Sequence, residues 1–405
     1  ASIVAVQIIG TCDNTVRLEN CHIENNNTGT GGYGHGLILG AGVSVTSPRI
    51  EDCYIKAGNN GAYSHGIYVG GKSNPYVLRT RTKGGGGGTD CMGAAFVEYP
   101  TGLYKDCYFN AGDGNTTCYG GYFNQSASPV FDHCDFRGGD GGNLCIGCMT
   151  GDVSSPQFND CTVRGGSAGT GCRGIYVRQS AAPRYKGTKV LLHTAGYAKT
   201  GVTATTTMIG HATLPIRYLS MDIFVTTGTG VGSGGTVSIG TTLAGTEIVN
   251  AQAIEAAPAG NWSKVTLGSG IINVLGANAP LYITVDNGTG SAPALLIYYT
   301  YCIANTSCEA VYFSDAIGAW KLSGCEIESN PASDAVYATA ATVTASQGEI
   351  IGCDISVMPR DTAAMKAINA EASWSPAPIY NCVLAGGTTN ITAAAGTANG
   401  TNVEL

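Results

Sequence analysis

The sequence predicts an all-β chain: a parallel β-solenoid of ~27-residue coils, interrupted by an inserted antiparallel β-sandwich. Three observations predict it: a marker position that recurs without a slip, a second ladder of cysteines and glycines in the same period, and a central cysteine-free stretch that breaks the repeat. The composition agrees. Of 405 residues, 60 are glycine and 21 tyrosine, and only 12% are charged. Apolar content of 43% is too high for a disordered chain, and the glycines lack the every-third-residue period of collagen. No run approaches the ~18–20 apolar residues of a membrane-spanning helix. A net charge of −7 argues against nucleic acid as a partner.

The marker is read from aligned segments. R-L-E-N-C-H-I at 17–23 is followed by S-P-R-I-E-D-C-Y-I at 47–55, N-P-Y-V-L-R-T-R-T at 74–82 and T-G-L-Y-K-D-C-Y-F at 101–109. S-P-V-F-D-H-C-D-F at 128–136, S-P-Q-F-N-D-C-T-V at 155–163 and A-P-R-Y-K-G-T-K-V at 182–190 continue the series. From Cys53 the marker passes through Thr80, Cys107, Cys134 and Cys161 to Thr188, every 27 residues, and resumes at Cys325, Cys353 and Cys382, with Cys302 as a further member. The second ladder is Cys91, Cys118, Cys145 and Cys172, with glycine two places later at Gly93, Gly120, Gly147 and Gly174, reaching back to Gly66. A three-faced coil needs about this length at ~3.3 Å per strand residue, and coils stack ~4.8 Å apart. Equivalent residues therefore form interior columns: Ile50, Val77, Tyr104, Phe131, Phe158 and Tyr185 in one, Ile55, Phe109, Phe136, Val163 and Val190 in another.

Residues 192–298 hold no cysteine and several longer alternating runs: 215–225, 235–240, 281–286 and 294–301. Glycine-rich turns separate them, which predicts an antiparallel sandwich. The predicted organisation is thus 1–191 solenoid, 192–298 sandwich and 299–405 solenoid. Sixteen cysteines would suit disulfides in a secreted protein. Because most fall in interior ladders, they read as free thiols acting as small core hydrophobes, with pairing between neighbouring rungs geometrically allowed. C-I-G-C at 145–148 lies within a strand and is not read as a metal or redox motif.

The P-x-h-x-x-C-x-h strands, where h is an apolar residue, and G-I-Y-V at 66–69 and 174–177 resemble the right-handed parallel β-helix superfamily, the architecture of pectate lyases, polygalacturonases and phage tailspikes. The resemblance covers roughly 1–190 and 300–405. The insert is similar to the small sandwich modules of phage fibre and tail proteins. The resemblance implies the fold; the superfamily hosts lyases, hydrolases, adhesins and fibres alike.

Candidate chemistry is sparse. Polygalacturonase-like enzymes use clustered aspartates with G-H-G and R-I-K elements; this chain has G-H-G at 34–36 and S-H-G at 64–66 but no Asp-Asp pair and no R-I-K. His35 and His65 therefore read as structural, at solenoid corners. Asp113 and Asp140, equivalent on adjacent coils and ~5 Å apart, are the best carboxylate pair and a weak calcium candidate. Both also lie in A-G-D-G-N and G-G-D-G-G turns, where aspartate is a good turn former. The run of five glycines at 84–88 is not a phosphate loop, having no following Lys-Ser/Thr.

One outward ladder carries Tyr54, Lys56, Arg81, Lys83, Tyr108, Arg137 and Arg164. Stacked like charges repel, so the stripe reads either as a solvated face partly neutralised by residues such as Asp135, or as a contact for anionic saccharide or another subunit. The equivalent late positions are acidic, Glu326, Glu328 and Asp354, a polarity expected to favour parallel or head-to-tail association of copies. The start, A-S-I-V-A-V-Q-I-I-G, has no initiator Met and no charged leader region, and reads as processed or trimmed. The finish, N-V-E-L, aligns with T-V-R-L at 15–18, so both ends read as uncapped rungs that copies would cover by stacking. Eight N-x-S/T sequons stand at Asn26, Asn115, Asn124, Asn261, Asn287, Asn305, Asn390 and Asn399, which bear glycans only in a secreted eukaryotic product.

The expected function is a non-enzymatic structural subunit of a self-assembling extracellular or virion fibre that engages surface polysaccharide. The expected partners are other copies of the chain and a glycan, with no cofactor and no nucleic acid. A lyase or hydrolase acting on acidic polysaccharide and a monomeric carbohydrate-binding module are the alternatives.

Overall fold

The structure is a computed structural model. It describes residues 3–28, 32–40, 46–59, 62–114, 116–139, 143–166, 171–191, 198–202, 206–209, 216–227, 236–240, 249–253, 262–265, 281–286, 294–303, 309–314, 318–329, 334–338, 348–357, 366–370, 379–385 and 403–404. Two compact units result: residues 1–192 with 305–405, and residues 193–304.

The first unit is a parallel β-solenoid. Its strands form three parallel sheets, here sheets I, II and III, of ten, ten and eleven strands. Each coil contributes one strand to each sheet; the coil at 90–110, for example, supplies Asp90–Val97 to sheet I, Leu103–Lys105 to sheet II and Tyr108–Asn110 to sheet III. The registers reproduce the 27-residue step: Tyr104 pairs with Val77 and Phe131, and Phe109 with Thr82 and Phe136. Both interior columns are buried, and their rings stack from coil to coil, with Phe158 and Tyr185 4.5 Å apart at 6°. Stacked rings of this kind add packing energy beyond area burial.

The corner between sheets II and III has one conformation throughout. The residue before each marker position is left-handed: Asn20, Asp52, Arg79, Asp106, His133, Asp160, Gly187, Gly324, Gly352 and Asn381 have φ between 46° and 61°. Asn, Asp and Gly tolerate this region, and His visits it more than most residues; Arg79 occupies it against preference. The corner stays in the ladder, the Asp106 amide donating to the Asp132 carbonyl at 3.0 Å. Cysteine or threonine follows because a small donor is needed. The Sγ of Cys53, Cys107, Cys134, Cys161, Cys325, Cys353 and Cys382 lies 3.1–3.6 Å from the carbonyl two residues earlier. Thr80 Oγ1 makes the same bond at 3.0 Å. Fourteen of the described cysteines are thiols, joined in no disulfide, and burial pushes the Cys91 thiol up to about 12.

The glycine column is explained by space. A Cβ on Gly120 would stand 2.6 Å from the Gly147 carbonyl and 2.8 Å from the Arg137 amide, so sheet I approaches sheet III too closely there for any side chain.

The described strands within residues 193–304 form two four-stranded antiparallel sheets, in which Val237, Ile239 and Ile283 are buried. Two sequence expectations need correction. Cys302 is not a solenoid rung: it lies in the strand Ala294–Ile303, opposite Arg217 in an antiparallel pair. The apolar run from 294 continues past 298 without a turn residue, so that strand carries on. Val403–Glu404 pairs with Val383–Leu384 in sheet III, whereas Arg17–Glu19 is in sheet II, so N-V-E-L does not repeat the register of T-V-R-L.

Candidate recognition faces of the solenoid

Sheet III strands in the early coils are three residues long, with the central side chain inward and the flanking two outward. Ile55, Phe109, Phe136 and Val163 are fully buried centres. The flanks stack into two columns. One runs His22, Tyr54, Arg81, Tyr108, Asp135, Thr162, Lys189, Glu326 and Asp354. Its neighbour runs Glu24, Lys56, Lys83, Asn110, Arg137, Arg164, Leu191, Glu328 and Ser356. The predicted residues thus share one face, and four of the five cations share one column, interrupted by Asn110. That asparagine instead caps the following turn, its Oδ1 accepting from the Gly112 amide at 3.0 Å.

Neutralisation along this face is partial. Lys56 pairs with Glu24, lowering the carboxyl's pKa and raising that of Lys56. Arg164 reaches Asp135 at 3.6 Å, yet burial raises the Asp135 carboxyl, and its Oδ1 is buried without a hydrogen bond. Lys189 and Glu326 join at 2.6 Å where the face turns acidic. Burial raises the Glu328 carboxyl, and the charges of Glu326 and Asp354 add to this.

Sheet I presents an outward face that sequence reasoning missed. His35 and His65 lie inside the strands Gly34–Leu39 and Tyr63–Gly70, not at corners. Their rings sit 4.7 Å apart, 6% exposed each. His65 pairs in register with Met92, and that column continues through Tyr119 and Ile146 to Arg173. Tyr68, Ala95, Tyr122, Met149, Tyr176, Tyr312 and Tyr337 form the next column. Met92, Ala95, Ile146 and Met149 are buried yet stand apart from the interior cluster. Tyr33 and Tyr63 stack at 5.2 Å, and Arg173 lies 3.7 Å over the Tyr312 ring while pairing with Glu309 at 3.2 Å. Burial holds His35 down to about 4 and His65 to about 3, so both are neutral near pH 7. The same cause lifts Tyr119 to about 12 and raises Asp90, whose carboxylate accepts from the Thr117 hydroxyl. The available signal was the alternation of tyrosine at 68, 122 and 176, visible once the second ladder is aligned.

The other candidates divide. Asp113 is exposed, and Asp140 lies outside the described residues, so the proposed pair is not placed. Among the described residues one group has metal-ligand spacing, Asp132, His133 and Asp160, with the two corner residues exposed. In it His133 Nδ1 lies 2.9 Å from the Asp132 carboxylate, beside the second carboxylate, Asp160. Asn26 is exposed, whereas the Asn124 amide donates to the Tyr122 hydroxyl at 3.1 Å. Asn115, Asn261, Asn287, Asn305, Asn390 and Asn399 lie outside the described residues. An open depression of about 860 Å³ near the first coils is lined by Cys12, Asp13, Thr15, Asn74 and Tyr76.

No protein-family profile matches the chain, and no curated protein matches it either. Among solved structures it is similar to the enzymatically active domain of tailspike protein 4 from bacteriophage CBA120, at 10% identity and TM-score 0.21, covering 66% of this chain and 55% of that one. It is also similar to the tailspike protein gp49 from Pseudomonas phage LKA1, at 12% identity and TM-score 0.23, covering 75% and 61%. A third is the tailspike protein gp49 from Acinetobacter baumannii bacteriophage Fri1, a capsular polysaccharide depolymerase, at 9% identity and TM-score 0.15, covering 75% and 60%. The chain thus spans less than two thirds of each of these proteins.

Proposed function

We propose that the chain is a structural, non-enzymatic component of an extracellular or virion-surface fibre, and that sheet III engages an anionic surface polysaccharide. One observation carries the reading: Lys56, Lys83, Arg137 and Arg164 stand in a single outward column, with Tyr54, Arg81 and Tyr108 beside them. From Lys56 to Arg164 the column runs four rung intervals, ~19 Å, which suits a linear ligand lying along the axis. Stacked cations repel, and a polyanion would relieve that repulsion where Glu24 and Asp135 do so only in part. Tyrosine beside the cations supplies apolar surface for sugar rings. Self-association is the fibre half of this reading, supported by the change of sign from Arg164 to Glu328 along one column.

The test is binding of polygalacturonate and hyaluronate as a function of salt, with light scattering for assembly state. Arg164→Ala and Lys83→Ala should each weaken binding several-fold and flatten its salt dependence. Salt-independent binding, or none, would refute the glycan half; a monomer at every concentration would refute the fibre half. A polysaccharide-cleaving enzyme is the second reading, favoured by the raised Asp90 carboxyl, suited to a general acid. Against it, glycosidases use a carboxylate pair, and Asp90 is the one acid in the outward columns of sheet I from Tyr63 to Arg173. Reducing-sugar release abolished by Asp90→Asn would favour this reading.

A further inference from the structure

One outward column of sheet I begins with three side chains that can each bind a metal through a neutral nitrogen or sulfur. Tyr33 and Leu37 pair with Tyr63 and Ile67, so His35, midway between them, stands on His65. His65 in turn pairs with Met92. The three occupy successive rungs, ~4.8 Å apart at the backbone. The two imidazole centroids are 4.7 Å apart and tilted by 44°. His35 and His65 are each 6% exposed and Met92 5%, so the trio is shielded from bulk water.

Packing does not account for the histidines. Met92 fills its rung of the same column with no polar atom beyond a thioether. The imidazoles instead bring nitrogens that the fold leaves unused: Nδ1 and Nε2 of His65 and Nδ1 of His35 are buried with no hydrogen-bond partner. A neutral imidazole offers one lone pair and one N–H, and burying such groups unsatisfied is costly. A metal ion held by the lone pairs removes part of that cost. Aromatic rings enclose the pair. Tyr68 lies 5.8 Å from His65, nearly parallel at 11°, and 5.7 Å from His35, while Tyr33 stacks on His35 at 5.7 Å. Their π faces favour a cation.

The donor set chooses the ion. Two imidazoles and a thioether, with no carboxylate among them, are borderline and soft donors, which select Cu(I), whereas Ca²⁺, Mg²⁺ and Mn²⁺ demand oxygen. Structural Zn²⁺ takes four ligands, commonly thiolates. A single positive charge also costs less to bring into an apolar pocket than a double one.

We propose that His35, His65 and Met92 form a copper(I) site on sheet I, with the two imidazoles as nitrogen ligands and the Met92 thioether as the sulfur ligand. The site uses no residue of the sheet III ladder, so it stands or falls apart from the glycan reading.

Anaerobic titration of the full chain with Cu(I), kept reduced by ascorbate and buffered by bicinchoninate, tests this. The cysteines are rival ligands, so the quantity read is the difference between the natural chain and variants that keep every cysteine. His35→Leu/His65→Leu should bind one Cu(I) fewer than the natural chain. Met92→Leu should keep the stoichiometry and weaken the site about tenfold. Copper X-ray absorption of the natural chain carrying one equivalent should show imidazole nitrogen together with sulfur, a readout that does not depend on any variant folding. Equal stoichiometry in the natural chain and the double variant, or a spectrum of sulfur donors alone, would overturn the proposal and leave the cysteines as the copper ligands. Unchanged affinity in Met92→Leu would overturn the part given to the thioether.

Discussion

Lowering the pH from 7 to 4.5 should destabilise the solenoid through His35 and His65. Burial holds these rings at about 4 and about 3, against 6.5 for an exposed histidine, and each is only 6% exposed. The unfolded chain therefore takes up protons near pH 6.5 while the folded chain does not. Stability is fully present above 6.5 and falls as pH drops toward the folded values, because the unfolded state binds more protons throughout that window. Each histidine costs about 1.4 kcal/mol per pH unit there, so the pair costs on the order of 5 kcal/mol by pH 4.5. Carboxylates titrate near this range too, so the comparison must cancel them. His35→Met/His65→Met does so, since Met92 already fills the same column one coil on and is 5% exposed. Urea midpoints followed by circular dichroism at the two pH values should fall ~2 M further for the natural chain than for the double variant. Parallel losses in both proteins would refute the reasoning, showing that the imidazoles protonate in place at no penalty.

Three further outcomes follow from the coil geometry. Gly120→Ala should lose about 1–3 kcal/mol, because the added Cβ meets backbone of sheet III and of the next coil, which cannot rotate away; an unchanged melting temperature would contradict that close approach. Cys134→Thr should be nearly neutral, as Thr80 and Thr188 already fill this position, whereas Cys134→Val should lose about 1 kcal/mol by leaving the Asp132 and Tyr104 carbonyls without their thiol donor; valine outperforming threonine in chemical denaturation would exclude the donor role. His133→Asn should gain about 0.5–1 kcal/mol, since asparagine tolerates φ of 51° better than histidine and the exposed pair with Asp132 is worth little; no rise in thermal midpoint would show that the corner is unstrained.

The 27-residue step was legible because a solenoid repeats its environment every coil. Tyr104, Phe131 and Phe158 occupy one environment three times, and sequence alignment alone puts them in one column. The sheet III face was legible for the same reason, as its strands are short and alternate simply around Ile55, Phe109 and Phe136. Sheet I was not. Its strands carry a glycine that breaks the in-out alternation, pairing Ser64 and His65 in register with Cys91 and Met92 and then skipping to Ile67 and Ala94. Period-two reasoning fails across that step, so His35 and His65 looked like corner residues.

What the sequence by itself determined is the repeat: an all-β solenoid, its period, its interior columns, and a cationic outward stripe, all of which depend on equivalence between coils. Tertiary structure alone decided why each marker residue is needed. A left-handed corner ahead of Cys or Thr, and a sheet-to-sheet approach too close for any Cβ at Gly120, depend on backbone placement that residue types do not encode one at a time. It also decided that the tyrosines of sheet I line one outward column, because which face a side chain takes depends on the irregular step at the glycine.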